Sequence, residues 1–276
     1  MLNKDLKISD EYMEHKLLKN IMLSSLCCMP CATFATENNG DSKLKGLSLG
    51  IGAVVSSDVY VGEKKEATVI PAISYEGEHF FVRGLYAGTD LYKSKWITLN
   101  AIGSVNLMHL DVDKLRESDL AKHNLSKSQL EDRDRSLDLG LEALIRLPYG
   151  ILSLQAVNDV TGASKAAEMR INYQYFWRIN NQLSFVPNAG FDWMTSKRSN
   201  YYYGVFDSEV AMGVPAYKPD QVVVPHISLG ANYSFSDNIR LTGVVSHKFF
   251  PNKVYDSPII DNKSSSSLLV AVAYKF

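Results

Sequence analysis

The chain has 276 residues, and its 29 lysines and arginines nearly balance 30 aspartates and glutamates, for a formal net charge of −1. That balance supplies no basic field to hold a nucleic-acid backbone and no acidic tail, so nucleic acid is not an expected partner. A mean hydropathy of −0.11 argues against a bundle of membrane-spanning helices, whereas a membrane barrel needs apolar residues only at alternate positions and leaves bulk composition ordinary.

At the N-terminus, Lys16 and Lys19 precede an apolar run from Ile21 to Ala32, followed by Thr33-Phe34-Ala35. Basic residues, a short apolar core and small residues before a polar segment predict a secretory signal over 1–35, cut after Ala35. The polar lead from Met1 to His15 is long for such a signal, which places the effective start nearer Met13. Pro30 argues against a buried helix, and the run is too short to anchor in a membrane. Cys27, Cys28 and Cys31 all fall in the signal. The mature chain is therefore expected to have no disulfide, thiol nucleophile or cysteine metal site. Leu26, Cys27 and Pro30 are the wrong neighbours for a lipid-modified cysteine.

After a short segment at 36–46, residues 47–276 repeat one pattern: apolar and polar side chains alternate with the period of a strand, in runs separated by turn formers. Leu47 to Val55 comes first, with small residues inward, then Ala67 to Tyr75, then Phe80 to Tyr92 as one strand, then Ile97 to Leu107. Asp111 to Asp134 breaks the alternation and reads as a long charged loop with a helical turn or two between Lys114 and Lys122. Leu137 to Leu147 resumes it, and Pro148-Tyr149-Gly150 turns the chain into Ile151 to Val157. Ala167 to Tyr175, Leu183 to Trp193, Ile227 to Phe235 and Ile239 to Ser246 follow. The last run carries Leu268, Val270, Val272 and Tyr274 on one face and ends on Phe276.

These runs predict an all-β chain, and they count to about eleven where a closed bacterial barrel has an even number, so the reading is a transmembrane antiparallel up-and-down barrel of about twelve strands. Arg198 to Phe206 or a piece of the stretch before Asp134 would supply the missing strand. A soluble β-sandwich is the competing architecture. The charges Asp138, Glu142, Arg146, Glu168 and Arg170 lie on the polar faces of their strands. Facing lipid near the midplane, each would cost about 2–4 kcal/mol, so they are expected in the lumen, pairing across strands. Aromatics at Tyr173, Tyr175, Phe176, Trp177, Trp193, Tyr201, Tyr202 and Tyr203 suit interfacial girdles. Phe276, with Tyr274, Val272, Val270 and Leu268, is read as a barrel-assembly signal and as the seam that closes the sheet.

A search for chemistry yields little. His79, His109, His123, His226 and His247 have no partner at metal-ligand spacing. No nucleophile elbow, phosphate loop or dinucleotide fingerprint follows any strand. Ser246-His247 and Asp207-Ser208 could be drawn into a rim site, but serines at strand ends serve solvation. No catalytic, cofactor-binding or metal residue is expected, and no cofactor.

Several short motifs, in order, carry a resemblance: Gly50-Ile51-Gly52-Ala53 with Tyr60-Val61-Gly62, Pro71, Asp138-Leu139-Gly140, Tyr201-Tyr202-Tyr203-Gly204-Val205, Asp256-Ser257-Pro258 and the ending Ala273-Tyr274-Lys275-Phe276. Together they resemble the MipA/OmpV family of outer-membrane proteins from about Leu47 to Phe276. The resemblance implies a barrel in the outer membrane of a Gram-negative bacterium, in contact with its lipid. It further implies a non-enzymatic scaffold for periplasmic murein hydrolases and synthases, or a surface adhesin. The family is not defined by catalytic residues, so none transfers. Taken as residues alone, Tyr202, Tyr203 and Gly204 read as a strand-end girdle with a glycine for close approach, and Asp256, Ser257 and Pro258 as a turn entering the last hairpin. A channel or surface adhesin is the alternative function, motivated by the lumen charges and by long loops at Asp111 to Asp134 and Asp207 to Gln221.

Overall fold

The structure is a computed structural model that describes residues 46–64 and 67–276; the expected signal over 1–35, its cut after Ala35 and the segment up to residue 45 lie outside the described residues. Thirteen strands follow in order: β1 Gly46–Ser56, β2 Ala67–Glu76, β3 Phe80–Arg83, β4 Tyr86–Lys93, β5 Ile97–Asn106, β6 Ser136–Leu147, β7 Gly150–Asp159, β8 Ala167–Gln174, β9 Trp177–Arg178, β10 Leu183–Met194, β11 Val222–Ser234, β12 Ile239–Phe249 and β13 Ser264–Lys275. Each pairs antiparallel with its sequence neighbour, except that β8 and the two-residue β9 both pair with β10 and act as one interrupted strand. β13 returns to β1, so the sheet closes as a twelve-strand barrel.

The twelfth strand comes from the segment Phe80 to Tyr92, which alternation alone renders as one. It is a tight hairpin of β3 and β4. Gly84, with φ +62°, supplies the left-handed residue that the turn needs. Arg198 to Phe206 is no crossing: its residues belong to the helix Ser196–Tyr203 and the turn after it. Between β5 and β6, the charged stretch holds the expected helical turns at Glu117–Lys122.

Alternation carries through into two faces. On β13 the outward Leu268, Val270, Val272 and Tyr274 are exposed, while Leu269, Ala271 and Ala273 are buried toward the lumen. At the seam Gly50 faces Ala273 and Gly52 faces Ala271. A Cβ on Gly52 would come within 2.9 Å of the Ala271 methyl, so the two strands meet there only because their inward residues are small. The Phe276 amide donates to the Leu47 carbonyl at 3.0 Å, and its ring stands edge-on to Tyr274. Among the described residues no helix is long and apolar enough to cross a membrane; the crossing elements are strands.

The two ends of the barrel differ. One carries Gly46, Phe276 and the connections 77–79, 94–96, 148–149 and 235–238; the other carries 57–64, 107–135, 160–166, 195–221 and 250–263. These long connections pack on one another, and the largest apolar core of the described residues lies among them and above the barrel wall. Removing Phe276 takes away a seam hydrogen bond and an outward ring. It is expected to reduce the amount of barrel recovered from outer membranes, by fractionation and heat-modifiable gel mobility; undiminished amounts would refute an assembly role.

Candidate functional site

All five charges expected in the lumen point inward, and three of them meet. Asp138 on β6 and Glu168 and Arg170 on β8 share their faces because β6, β7 and β8 are neighbours in register. Arg170 reaches Glu168 through Nε at 2.6 Å and Asp138 through Nη2 at 3.0 Å. A second arginine descends from the loop above: Arg198, on the helix Ser196–Tyr203, reaches Asp138 at 2.6 Å and Glu168 at 2.7 Å. Two carboxylates and two guanidiniums thus alternate in a neutral cluster, each no more than 5 % exposed. Buried ions are tolerated because each has two counter-charges and fork geometry that uses its donors. Sequence reasoning missed Arg198, because the polar helix in which it sits offers short alternations that resemble a strand.

Farther along the lumen wall, Asp192 on β10 lies 3.9 Å from His226 Nδ1 on β11 and 3.9 Å from Lys248 Nζ on β12. The His226 Nε2 pairs with Asn172 Oδ1 at 2.7 Å. Arg146 donates to Thr98 Oγ1 at 3.0 Å, nearer the short turns. Glu142 accepts from Asn100, Ser153 and Gln155. An apolar layer crosses the lumen as well: Leu107, just past β5, is buried with Val54, Val244, Leu269 and Ala271. Toward the long-loop end the interior thus holds both buried ionic and buried apolar side chains.

Above this filling sits a cap. The tyrosine run that suggested a girdle is its centre: Tyr202 is 0 % and Tyr203 2 % exposed. Tyr60 donates its hydroxyl to the Tyr202 carbonyl at 3.0 Å, and Tyr203 packs on Phe250. Burial away from water holds the Tyr60 phenol well above its ordinary pKa, since the anion would be desolvated. Tyr173, Tyr175 and Trp177, by contrast, are exposed on the wall toward the short turns, as a girdle requires. Gly204 ends the tyrosine helix, donating to the Asn200 carbonyl, and a Cβ there would strike the Asn200 backbone. Asp256, Ser257 and Pro258 lie in a cap turn after the helix Asn252–Tyr255, where Ile260 bridges back to Tyr60.

One ion pair ties the cap together. Arg133 and Glu209, both 1 % exposed, join through two parallel bonds of 2.7 Å. Arg133 also donates to the carbonyls of Tyr201 and Gly204 and lies 3.7 Å over the Phe206 ring. Glu209 accepts the Phe206 and Glu131 amides. The charged loop Asp111 to Asp134 and the loop Asp207 to Gln221 are therefore fastened to each other.

Set beside known proteins, residues 49–276 match the model of the MltA-interacting protein MipA family. The chain belongs to this family. It is 28 % identical over 246 residues to the putative outer membrane protein YiaT of Escherichia coli K12, covering 89 % of this chain and 97 % of that protein. It is 26 % identical over 230 residues to the MltA-interacting protein of the same strain, covering 83 % and 90 %. Among solved structures, the NanC porin aligns with a TM-score of 0.46 and 8 % identity, covering 83 % of this chain and 100 % of the porin. The molecule is an outer-membrane β-barrel of the MipA family. No group of three or more histidine, cysteine or acidic side chains able to hold a metal occurs among the described residues.

Two consequences are measurable. Replacing Arg198 by Ala leaves Asp138 and Glu168 buried with Arg170 alone; breaking a buried pair costs about 3–5 kcal/mol. The variant should unfold at lower temperature by heat-modifiable mobility and become sensitive to protease in 195–221. A second consequence concerns pH. His109, in the cap, donates from Nδ1 to the Leu107 carbonyl and accepts from Arg135 through Nε2. Burial first, and then the Arg135 charge, push its pKa down to about 4. The unfolded state, with an ordinary histidine near 6.5, binds the proton first, so this stabilisation is present above about 6.5 and is lost as pH falls toward 4. Proteolysis of the cap should accelerate across that window, and less so in His109→Gln.

Proposed function

We propose that this MipA-family barrel is a non-enzymatic docking protein that holds a murein-processing enzyme, a hydrolase of the MltA kind or a synthase, at the inner surface of the outer membrane. The observation that carries the reading is the filled lumen: with Arg198 seated on Asp138 and Glu168, the outer surfaces are what remains for work. The printed name of a relative aligned over 83 % of the chain, MltA-interacting protein, supplies the class of partner. Outer-membrane barrels generally keep short turns on the periplasmic side and longer loops outside. The docking face is then the end with Lys93-Ser94-Lys95-Trp96, Tyr149 and Phe235, where Trp96, Tyr149 and Phe235 are exposed. Residues 1–35 serve as the export signal, removed after Ala35, and N-terminal sequencing of the outer-membrane form reads that cut. The function is tested by cross-linking in intact envelopes followed by capture of the barrel. A murein hydrolase or synthase should be recovered, and its absence would sink the proposal.

A second reading is a channel or surface adhesin; the self-packed cap on the long-loop side offers a surface to the adhesin alone. Planar-bilayer recording separates the pore from the docking protein: the native barrel is expected to be silent, and steady conductance would favour a channel.

A further inference from the structure

Among the described residues no ion pair reaches the lumenal carboxylate of Glu142. Glu142, on β6, is 5 % exposed. Its Oε2 accepts from Asn100 Nδ2 on β5 at 2.8 Å, and its Oε1 accepts from Ser153 Oγ at 3.1 Å and Gln155 Nε2 at 2.8 Å, both on β7. The register sets Asn100, Glu142 and Gln155 abreast on three adjacent strands. Asp138, Glu168 and Glu209, by contrast, each have an arginine. Arg146, the next inward base on the same strand, is turned to Thr98 and the Ser94 carbonyl. A lone ionised carboxylate so deeply buried is unfavourable, because its lost hydration is not repaid by an opposite charge.

A second observation falls in the same spot. Asn100 is 1 % exposed, and its Oδ1 has no hydrogen-bond partner although the same amide is held against Glu142. A buried carbonyl oxygen beside an uncompensated carboxylate is half of a coordination shell. The remaining groups fit the other half. Ser153 offers a hydroxyl oxygen, and a half-turn of the Gln155 amide about its terminal torsion presents oxygen where nitrogen now points. The donor set is all oxygen, with neither imidazole nor sulfur, which selects hard cations over transition metals. It carries a single negative charge. A monovalent ion would neutralise it, while a divalent ion would leave a net positive charge in a low-dielectric interior.

We propose that Glu142, Asn100, Ser153 and Gln155 form a lumenal binding site for a monovalent cation of the sodium class. The ion would supply the counter-charge that Arg198 and Arg170 supply to Asp138 and Glu168.

The test uses the purified, folded barrel in detergent, with its thermal midpoint followed by heat-modifiable mobility. Sodium chloride is compared with choline chloride at equal ionic strength, which removes screening as a cause. Sodium at about ten times its dissociation constant should raise the folded-to-unfolded ratio about tenfold and so raise the midpoint. Glu142→Gln, nearly equal in volume, should abolish the difference between the salts, and Ser153→Ala should reduce it should the first variant fail to fold. Equal midpoints of the native protein in the two salts would overturn the site. So would an infrared band of a protonated carboxyl at neutral pH that disappears in Glu142→Gln, since a proton would then be the occupant.

Discussion

A strand that crosses a bilayer has no water for its backbone, so every amide and carbonyl must find a partner within the sheet, and the sheet must therefore close. The seam between β1 and β13 satisfies that requirement, and much else follows from it. Its register runs from Ser48 opposite Lys275 to Ser56 opposite Ser267. Midway along it the inward pairs are Gly50 with Ala273 and Gly52 with Ala271, which lets two twisted strands approach, while most outward positions are leucine, isoleucine, valine or tyrosine, which suit lipid. Closure at twelve strands then fixes how wide the interior is and what must fill it.

The interior is filled in two ways with different physics. Apolar side chains such as Leu107 and Val54 fill by contact alone, through attractions that are not directional. The ionic cluster of Asp138, Glu168, Arg170 and Arg198 is less forgiving, since each charge is buried and its stability depends on short, directed bonds to the others. Because Arg198 belongs to a loop helix, the cluster joins wall and cap. The Arg133–Glu209 pair repeats the device within the cap, where it fastens the loop after β5 to the loop after β10. A lumen occupied in this way leaves the ends of the barrel as the free surfaces, and the proposed docking surface lies at the short turns.

Much of the wall was legible from alternation, because period two is a direct consequence of the pleat and lipid enforces it on every outward residue. The inward direction of Asp138, Glu142, Arg146, Glu168 and Arg170 followed from the same pattern with one energetic argument. What could not be read was whatever the pleat does not encode. The β3–β4 turn rests on Gly84 and two very short strands, and a single run of alternation conceals it. In sequence the tyrosines at 201–203 fit a girdle, because aromatic rings suit an interface as well as a core. Only the fold places Tyr202 and Tyr203 under the cap and away from lipid. Arg198 escaped for a related reason: its partners are 60 and 30 residues away in sequence, and no local spacing announces them.

Pro71 shows how the closed wall absorbs a residue that sheets ordinarily reject. It stands in β2, opposite Ile51 of β1. β3 is four residues long and pairs with only Ser74 to Glu76, and the Gly84 amide extends the contact to the Ile73 carbonyl. Since Ile73 points its carbonyl toward β3, alternation puts the Pro71 nitrogen on that same edge and away from β1. Above Ile73 no strand ladder occupies that edge among the described residues. A ring nitrogen without a proton there removes no ladder bond, whereas one residue earlier or later it would break the β1–β2 pairing. The short hairpin and the proline are thus one feature: where β3 stops, that edge of β2 is without a ladder, and such an edge is where a proline is tolerated.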